Sequence, residues 1–176
     1  MTSTVILTVV GSDRPGLVET LADAVLAAGG NWLESHLSHL AGRFVGAVLV
    51  EVPATALDGL RQRLQQADSA GLTVTLVEAG PTPESVATPI QLDLVGQDRP
   101  GIVREVTRVL AGLGVNIESF TTELAHGAWS GERLFRARAA LLIPDSLKLD
   151  QLQAALEDLS GEIMVDIRLG VPDRRG

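Results

Sequence analysis

The sequence predicts an α+β chain of two βαββαβ units in tandem, and three observations carry that prediction. A nine-residue stretch recurs 85 residues on, since Val10 to Val18 reads VGSDRPGLV and Val95 to Val103 reads VGQDRPGIV. Apolar spacing then runs through the same order of strand and helix signals in both halves. Between the halves, Ala79 to Pro89 holds three prolines and a glycine, the composition of a semi-stiff exposed linker. The expected domains are 1–79 and 90–176, the second with a short C-terminal tail, joined by a linker over 80–89. Asn31 falls on Asn116; an insertion in the first copy one residue later then sets Glu34-Ser35 on Glu118-Ser119.

Each element has a local cause. Val5 to Val10 is β-branched and apolar, which favours a buried strand. Gly11 to Gly16 breaks it, and Pro15 suits a first helical turn. Leu17, Val18, Leu21, Val25 and Leu26 form a helical stripe, ended by Gly29-Gly30. Asn31 to Leu40 reads as a strand, with Leu33 and Leu37 on one face and Trp32, Glu34 and His36 on the other. After a turn at Ala41-Gly42, Arg43 to Val52 is a strand stopped by Pro53. Leu57, Leu60 and Leu64 mark a second helix, and Leu72 to Val77 closes the unit.

The second copy repeats the order. Ile90 to Val95 is a strand, and Ile102, Val103, Val106, Val109, Leu110 and Leu113 line a helix. Val115 to Leu124 and Arg133 to Ile143 are strands, with a longer loop over Ala125 to Gly131. Leu149, Leu152, Leu156 and Leu159 line a helix, and Ile163 to Leu169 is the last strand. This order folds naturally into a four-stranded antiparallel sheet with both helices on one face, the ferredoxin-like arrangement. The other face of each sheet is left open.

Composition narrows the function. The 176 residues include no cysteine, which excludes a disulfide scaffold, a thiolate metal site and a cysteine nucleophile. A net charge of −8 and a pI near 4.8 argue against direct nucleic-acid binding. The RNA-recognition fold shares this element order but needs stacking aromatics on its central strands, and the chain has no tyrosine. No apolar run approaches the roughly 18 residues of a membrane span. MTSTVILTVV lacks the basic start and cleavage site of a signal peptide, so a cytoplasmic protein is expected. No hydrolase elbow is present, and His36 and His39, three apart in a strand, point to opposite faces. No catalytic residue, metal site or cofactor is expected.

The loop between first strand and first helix is the most informative feature. A helix N-terminus offers unpaired N–H groups suited to a carboxylate. Asp13 or Asp98 beside it offers a negative charge suited to an ammonium, and Gly16 or Gly101 admits close approach to the backbone. Asn31 and Asn116, with donors and acceptors, open the next strand. Such elements at a domain interface suit the zwitterionic end of a free amino acid. The plainer reading, an aspartate N-cap, is compatible with it. On the sheet, Arg136 and Arg138 alternate against Phe135, Ala137 and Ala139, so they take the open face when Phe135 faces the helices. A solvated face and a partner-binding face both fit them.

Two βαββαβ units that each open with G-x-D-R-P-G resemble tandem ACT domains, the small amino-acid-sensing regulatory modules. Asn31-Trp32-Leu33-Glu34-Ser35, Leu40-Ala41-Gly42-Arg43-Phe44 and the SGERLFRA stretch from Ser130 to Ala137 are similar to the glycine cleavage system transcriptional repressor family. The resemblance runs from about Thr4 to Leu169. It implies a non-enzymatic regulator that binds a small amino acid such as glycine and acts through a protein partner, a DNA-binding activator, rather than on DNA. It also implies ligand-binding positions at Asp13, Gly16, Leu17, Asn31 and Trp32, and at Asp98, Gly101, Ile102, Asn116 and Ile117. Trp32 stands where the second copy has Ile117, a bulk that closes one of the two loops on this reading. A detached regulatory subunit of a metabolic enzyme and a ligand-free assembly module are the alternatives. Sheet edges free to pair favour a homodimer.

Overall fold

The structure is a computed structural model and describes residues 1–12, 14–68, 71–80, 87–126, 132–159 and 163–169. Chain contacts divide it into two units, Met1–Thr82 and Pro83–Gly176. In the first unit the order is β1 (Thr2–Ser12), α1 (Leu17–Ala27), β2 (Asn31–Leu40), β3 (Arg43–Pro53), α2 (Leu57–Asp68) and β4 (Leu72–Glu78). In the second it is β5 (Thr88–Gln97), α3 (Ile102–Gly112), β6 (Asn116–His126), β7 (Arg133–Ile143), α4 (Leu149–Glu157) and β8 (Met164–Leu169). The sheets run β2-β3-β1-β4 and β6-β7-β5-β8, antiparallel throughout. Each unit is the ferredoxin-like βαββαβ fold that the sequence predicts.

Alternation along the central strands builds each core. Val5, Leu7 and Val9 of β1 and Val48, Val50 and Val52 of β3 are buried, against Leu17, Leu21 and Val25 of α1 and Leu60 and Leu64 of α2. In the second unit Leu92, Leu94, Phe135, Ala137 and Ala139 meet Ile102, Val106, Leu110, Leu152 and Leu156. The predicted stripe of α1 is narrower than expected. Leu17, Leu21 and Val25 stack at i, i+4 and i+8 toward the sheet, while Val18 and Leu26 are 45% and 73% exposed. One residue along a helix turns the side chain about 100°, which carries that second row off the core. Val103 leaves the core of α3 in the same way.

The register of β2 corrects two expectations. Trp32 pairs with Val50 and Glu34 with Leu49, so Leu33 is an extra, bulged residue. The bulge flips the alternation. Trp32 and Leu37 pack against the core, while Glu34 and His36 share the open face. In β6 the same slip falls between Ile117 and Ser119. Both copies therefore carry one bulged residue, Leu33 and Glu118, and neither has an insertion there. The offset of 85 runs on through β2, which sets Glu34 on Ser119. The extra length of the second copy lies instead between β6 and β7. The loop expected there falls mostly outside the described residues, although Ala125 and His126 extend β6. The prolines at 81 and 83 also lie outside them, and Thr88 and Pro89 already belong to β5.

Candidate functional site

In the first unit the chain leaves β1 at Ser12, turns at Pro15-Gly16 and enters α1 at Leu17. Pro15 thus precedes the helix instead of lying in its first turn. Gly16 is the N-cap at φ 89°, a left-handed conformation that a Cβ would strain, and among the described residues no side chain caps the helix. The N–H and hydroxyl of Thr20 both donate to the Gly16 carbonyl at 2.9 Å. The first-turn N–H groups have no carbonyl inside the helix to pair with. They border an open groove of about 630 Å³ lined by Arg14, Gly16, Val18, Glu19, His39 and Phe44. Arg14 is exposed and has no ion pair among the described residues. Asp13 lies outside the described residues.

A second hollow of about 350 Å³ continues along α1, bordered by Val18, Ala22, Leu26, Asn31 and Trp32. Val18 lines both. The predicted residues of this unit therefore fall into two groups, Gly16 and Leu17 at the start of α1 and Asn31 and Trp32 beyond its end. Eleven helical residues separate them by about 16 Å, longer than a small amino acid. Leu17 is buried in the core, so only its backbone is available to a ligand. Asn31 is exposed and Trp32 is half-buried.

The equivalent loop of the second unit is tied to its own unit. The Asp98 N–H donates to the Arg133 carbonyl at 3.0 Å, and its carboxylate meets the Arg133 guanidinium at 3.1 Å. Asp98 is thus an ion-pair partner for the start of β7, and α3 has no side-chain cap, contrary to the capping reading. Arg99 donates to both carboxylate oxygens of Glu105, one of them at 2.9 Å. That hydrogen bond, with the charges of Arg99 and Arg104, holds Glu105 below the ordinary carboxylate range against a smaller opposing cost of desolvation. Thr20 occupies the Glu105 position in the first copy, so Arg14 lacks this anchor. Gly101 is left-handed at φ 92°, and Ile102 is buried like Leu17. The Asn116 side chain donates to Glu118 at 2.6 Å, and Ile117 packs against the core.

The predictions did not single out Arg14, Glu19 or the Val18 row. The signal for Arg14 was available, because comparison of the two copies shows Thr20 where the other has Glu105. Val18 was hidden because a five-residue apolar stripe of helical spacing gives no sign of where the buried arc ends.

The open sheet face of the second unit carries Arg136 and Arg138, opposite the buried Phe135, Ala137 and Ala139. Arg138 meets Asp93 at 3.3 Å, and Arg136 meets Glu123 at 3.9 Å. Arg168 meets Asp166 at 2.7 Å and Asp93 at 3.5 Å, and the hydrogen bond to Asp166 raises its already high pKa further. A shallow depression of about 180 Å³ lies among these groups. The first unit has Thr8, Val45, Ala47 and Val77 at the positions of Asp93, Arg136, Arg138 and Arg168. Among the described residues, three or more metal-ligating side chains cluster nowhere, and no helix is long and apolar enough to cross a membrane.

The geometry defines a duplicated ferredoxin-like module with an open groove at its loop–helix junction. ACT-domain family models match residues 3–77 and 90–161, and the chain belongs to the ACT-domain family of regulatory ligand-binding modules. An unknown protein from Galdieria sulphuraria has the same fold at 28% identity, with a TM-score of 0.79 over 97% of this chain and 100% of that one. A candidate glycine cleavage system transcriptional repressor shares the fold at 16% identity, with a TM-score of 0.69 over 97% of this chain and 99% of that one. No protein of curated function matches the sequence.

Proposed function

We propose that this chain is a non-enzymatic, cytoplasmic amino-acid sensor that regulates another protein by direct contact. The ligand is a small amino acid such as glycine, and the target is a protein such as a DNA-binding activator of glycine cleavage genes. Membership of the ACT family supports the sensing role. The fold shared with a candidate repressor of that system is consistent with the target. A net charge of −8 suits a basic protein partner.

The observation that carries the reading is Arg14, which lines the groove beside Gly16 and has no ion pair among the described residues. A carboxylate docks between its guanidinium and the first-turn N–H groups of α1, which together supply charge and directed donors. Glu19 stands in that turn to receive the ammonium, and Asp13, two residues before Pro15 in the sequence, is the second carboxylate proposed for it. The second loop keeps Asp98, Gly101 and Ile102 in place, but its charged groups are already paired, so the first loop is the receptive one. Asn31 and Trp32 lie too far along α1 to touch the same small ligand within one unit. They act, with Asn116 and Ile117, on a ligand held by a second protomer in a homodimer. Arg136 and Arg138 belong to the face that meets the protein target.

Calorimetric titration with glycine, serine and the other amino acids tests this, with Trp32 fluorescence in parallel. Saturable binding that Arg14→Ala abolishes and Arg99→Ala retains is the expected result. Binding that survives Arg14→Ala, or no heat with any amino acid, overturns it.

A further inference from the structure

Cross-strand pairs set out the open face of the second sheet as a grid. Arg138 of β7 lies between Asp93 of β5 and Thr121 of β6, and Arg136, two residues earlier, lies between Val95 and Glu123. Asp166 of β8 stands beyond Asp93. With Arg168 included, three guanidinium groups and three carboxylates share the face, so it is electrically balanced and the chain's excess negative charge lies elsewhere. Its hydrogen-bonding capacity is not balanced. Asp93 faces Arg138 with one oxygen and Arg168 with the other, and one oxygen of Asp166 accepts two bonds from Arg168. Arg138 meets Asp93 through Nε at 3.3 Å, and Arg136 comes no nearer to Glu123 than 3.9 Å. Neither arginine donates a hydrogen bond to another side chain among the described residues. Arg138 is 78% exposed and Asp93 37%, so the guanidinium stands above the carboxylate it pairs with. Glu123 and Asp166 lie on the edge strands β6 and β8. The centre of the face is thus a ridge of two arginines with donors to spare, bordered by acid at both edges.

A carboxylate satisfies such donors in pairs, because the planar fork of a guanidinium matches its two oxygens. Arg136 and Arg138 are two residues apart on one strand, a repeat of about 7 Å. An extended chain has the same repeat, so acidic side chains at its alternate positions meet both arginines at once. The depression beside them holds about 180 Å³, which is below the roughly 300 Å³ at which pockets for free small molecules begin. It has room for one side chain of a larger partner. We infer that this face docks an extended acidic segment of a protein, with carboxylates at alternate positions seated on Arg136 and Arg138. Glu123 and Asp166 repel a segment that slides off that line, which fixes its placement. The first unit, with Thr8, Val45, Ala47 and Val77 in these places, has no counterpart. The inference rests on the proposal that this face meets the protein target, and it names the chemistry of the contact.

Fluorescence anisotropy of the full chain at low salt tests it. The probes are a labelled peptide of alternating threonine and glutamate and another of alternating threonine and lysine. Circular dichroism confirms that each variant is folded. The wild type binds the glutamate peptide saturably. Arg136→Gln with Arg138→Gln weakens that binding about tenfold. Arg136→Lys with Arg138→Lys, which keeps the charge and loses the fork, weakens it as well. Arg104→Gln with Arg108→Gln removes the same charge from α3 and leaves binding unchanged. Binding that survives Arg136→Gln with Arg138→Gln overturns the inference. Free glutamate that competes at the concentration of the peptide's own carboxylates marks a small-molecule site and overturns the docked segment. A lysine peptide bound instead, and lost in Glu123→Gln with Asp166→Asn, overturns the acidic chemistry and leaves the face as a protein contact. Binding of neither peptide overturns the inference and removes the support for that contact.

Discussion

Arg99 and Glu105 set how the second loop responds to pH. The folded-state pKa of Glu105 is lowered from its ordinary 4.5, so its contribution to stability is fully present above that value. The contribution is lost as pH falls through the lowered folded value. Glu105→Gln is therefore expected to be less stable than the wild type at neutral pH, with the gap narrowing on acidification below 4.5, as read by urea midpoints across a pH series. Gln91 offers a second probe, because its Nε2 is buried without a hydrogen-bond partner among the described residues. Ile6 occupies the same position in the first copy. Gln91→Ile is expected to stabilise the chain by about 1 kcal/mol, read by chemical denaturation, since an unsatisfied donor is removed. At this scale the sequence displayed the site's residue types but not their commitments. Asp98 and Arg99 look as free as Asp13 and Arg14 until the fold brings Arg133 and Glu105 to them.

Strands and helices were largely legible because β-branched runs, i, i+4 spacing and glycine stops each carry a local signal. The β2 bulge was not, because it costs one residue and leaves no mark in composition. Its effect is to put Trp32 over the core and to set the two copies in equal register. Gly46 of β3 is a similar case. It lies at φ 153°, and a Cβ there would press on the His36 carbonyl oxygen across the strand pair. The equivalent residue of β7, Ala137, is buried with its Cβ in place. Gly46→Ala is expected to cost about 2 kcal/mol through forced separation of β2 and β3, measured by denaturation. A cost near zero would show that β3 relaxes toward the β7 geometry.

The molecule is a duplication whose copies have diverged in charge more than in fold. Arg14 has no ion pair among the described residues where Arg99 is held by Glu105, α1 is acidic where α3 is basic, and the first open sheet face is neutral at its centre where the second is laced with ion pairs. The repeat was visible in G-x-D-R-P-G. The divergence of the loop and first helix was readable at the same offset of 85, whereas that of the sheet faces appears only once the strand registers fix which residues correspond. That divergence supports the proposal that the first loop takes the ligand, which is the account's central claim. Calorimetric titration of amino acids into the wild type, Arg14→Ala and Arg99→Ala proteins tests that claim most directly. The account predicts saturable binding in the wild type and Arg99→Ala and none in Arg14→Ala. Equal binding by wild type and Arg14→Ala, or loss confined to Arg99→Ala, would contradict it.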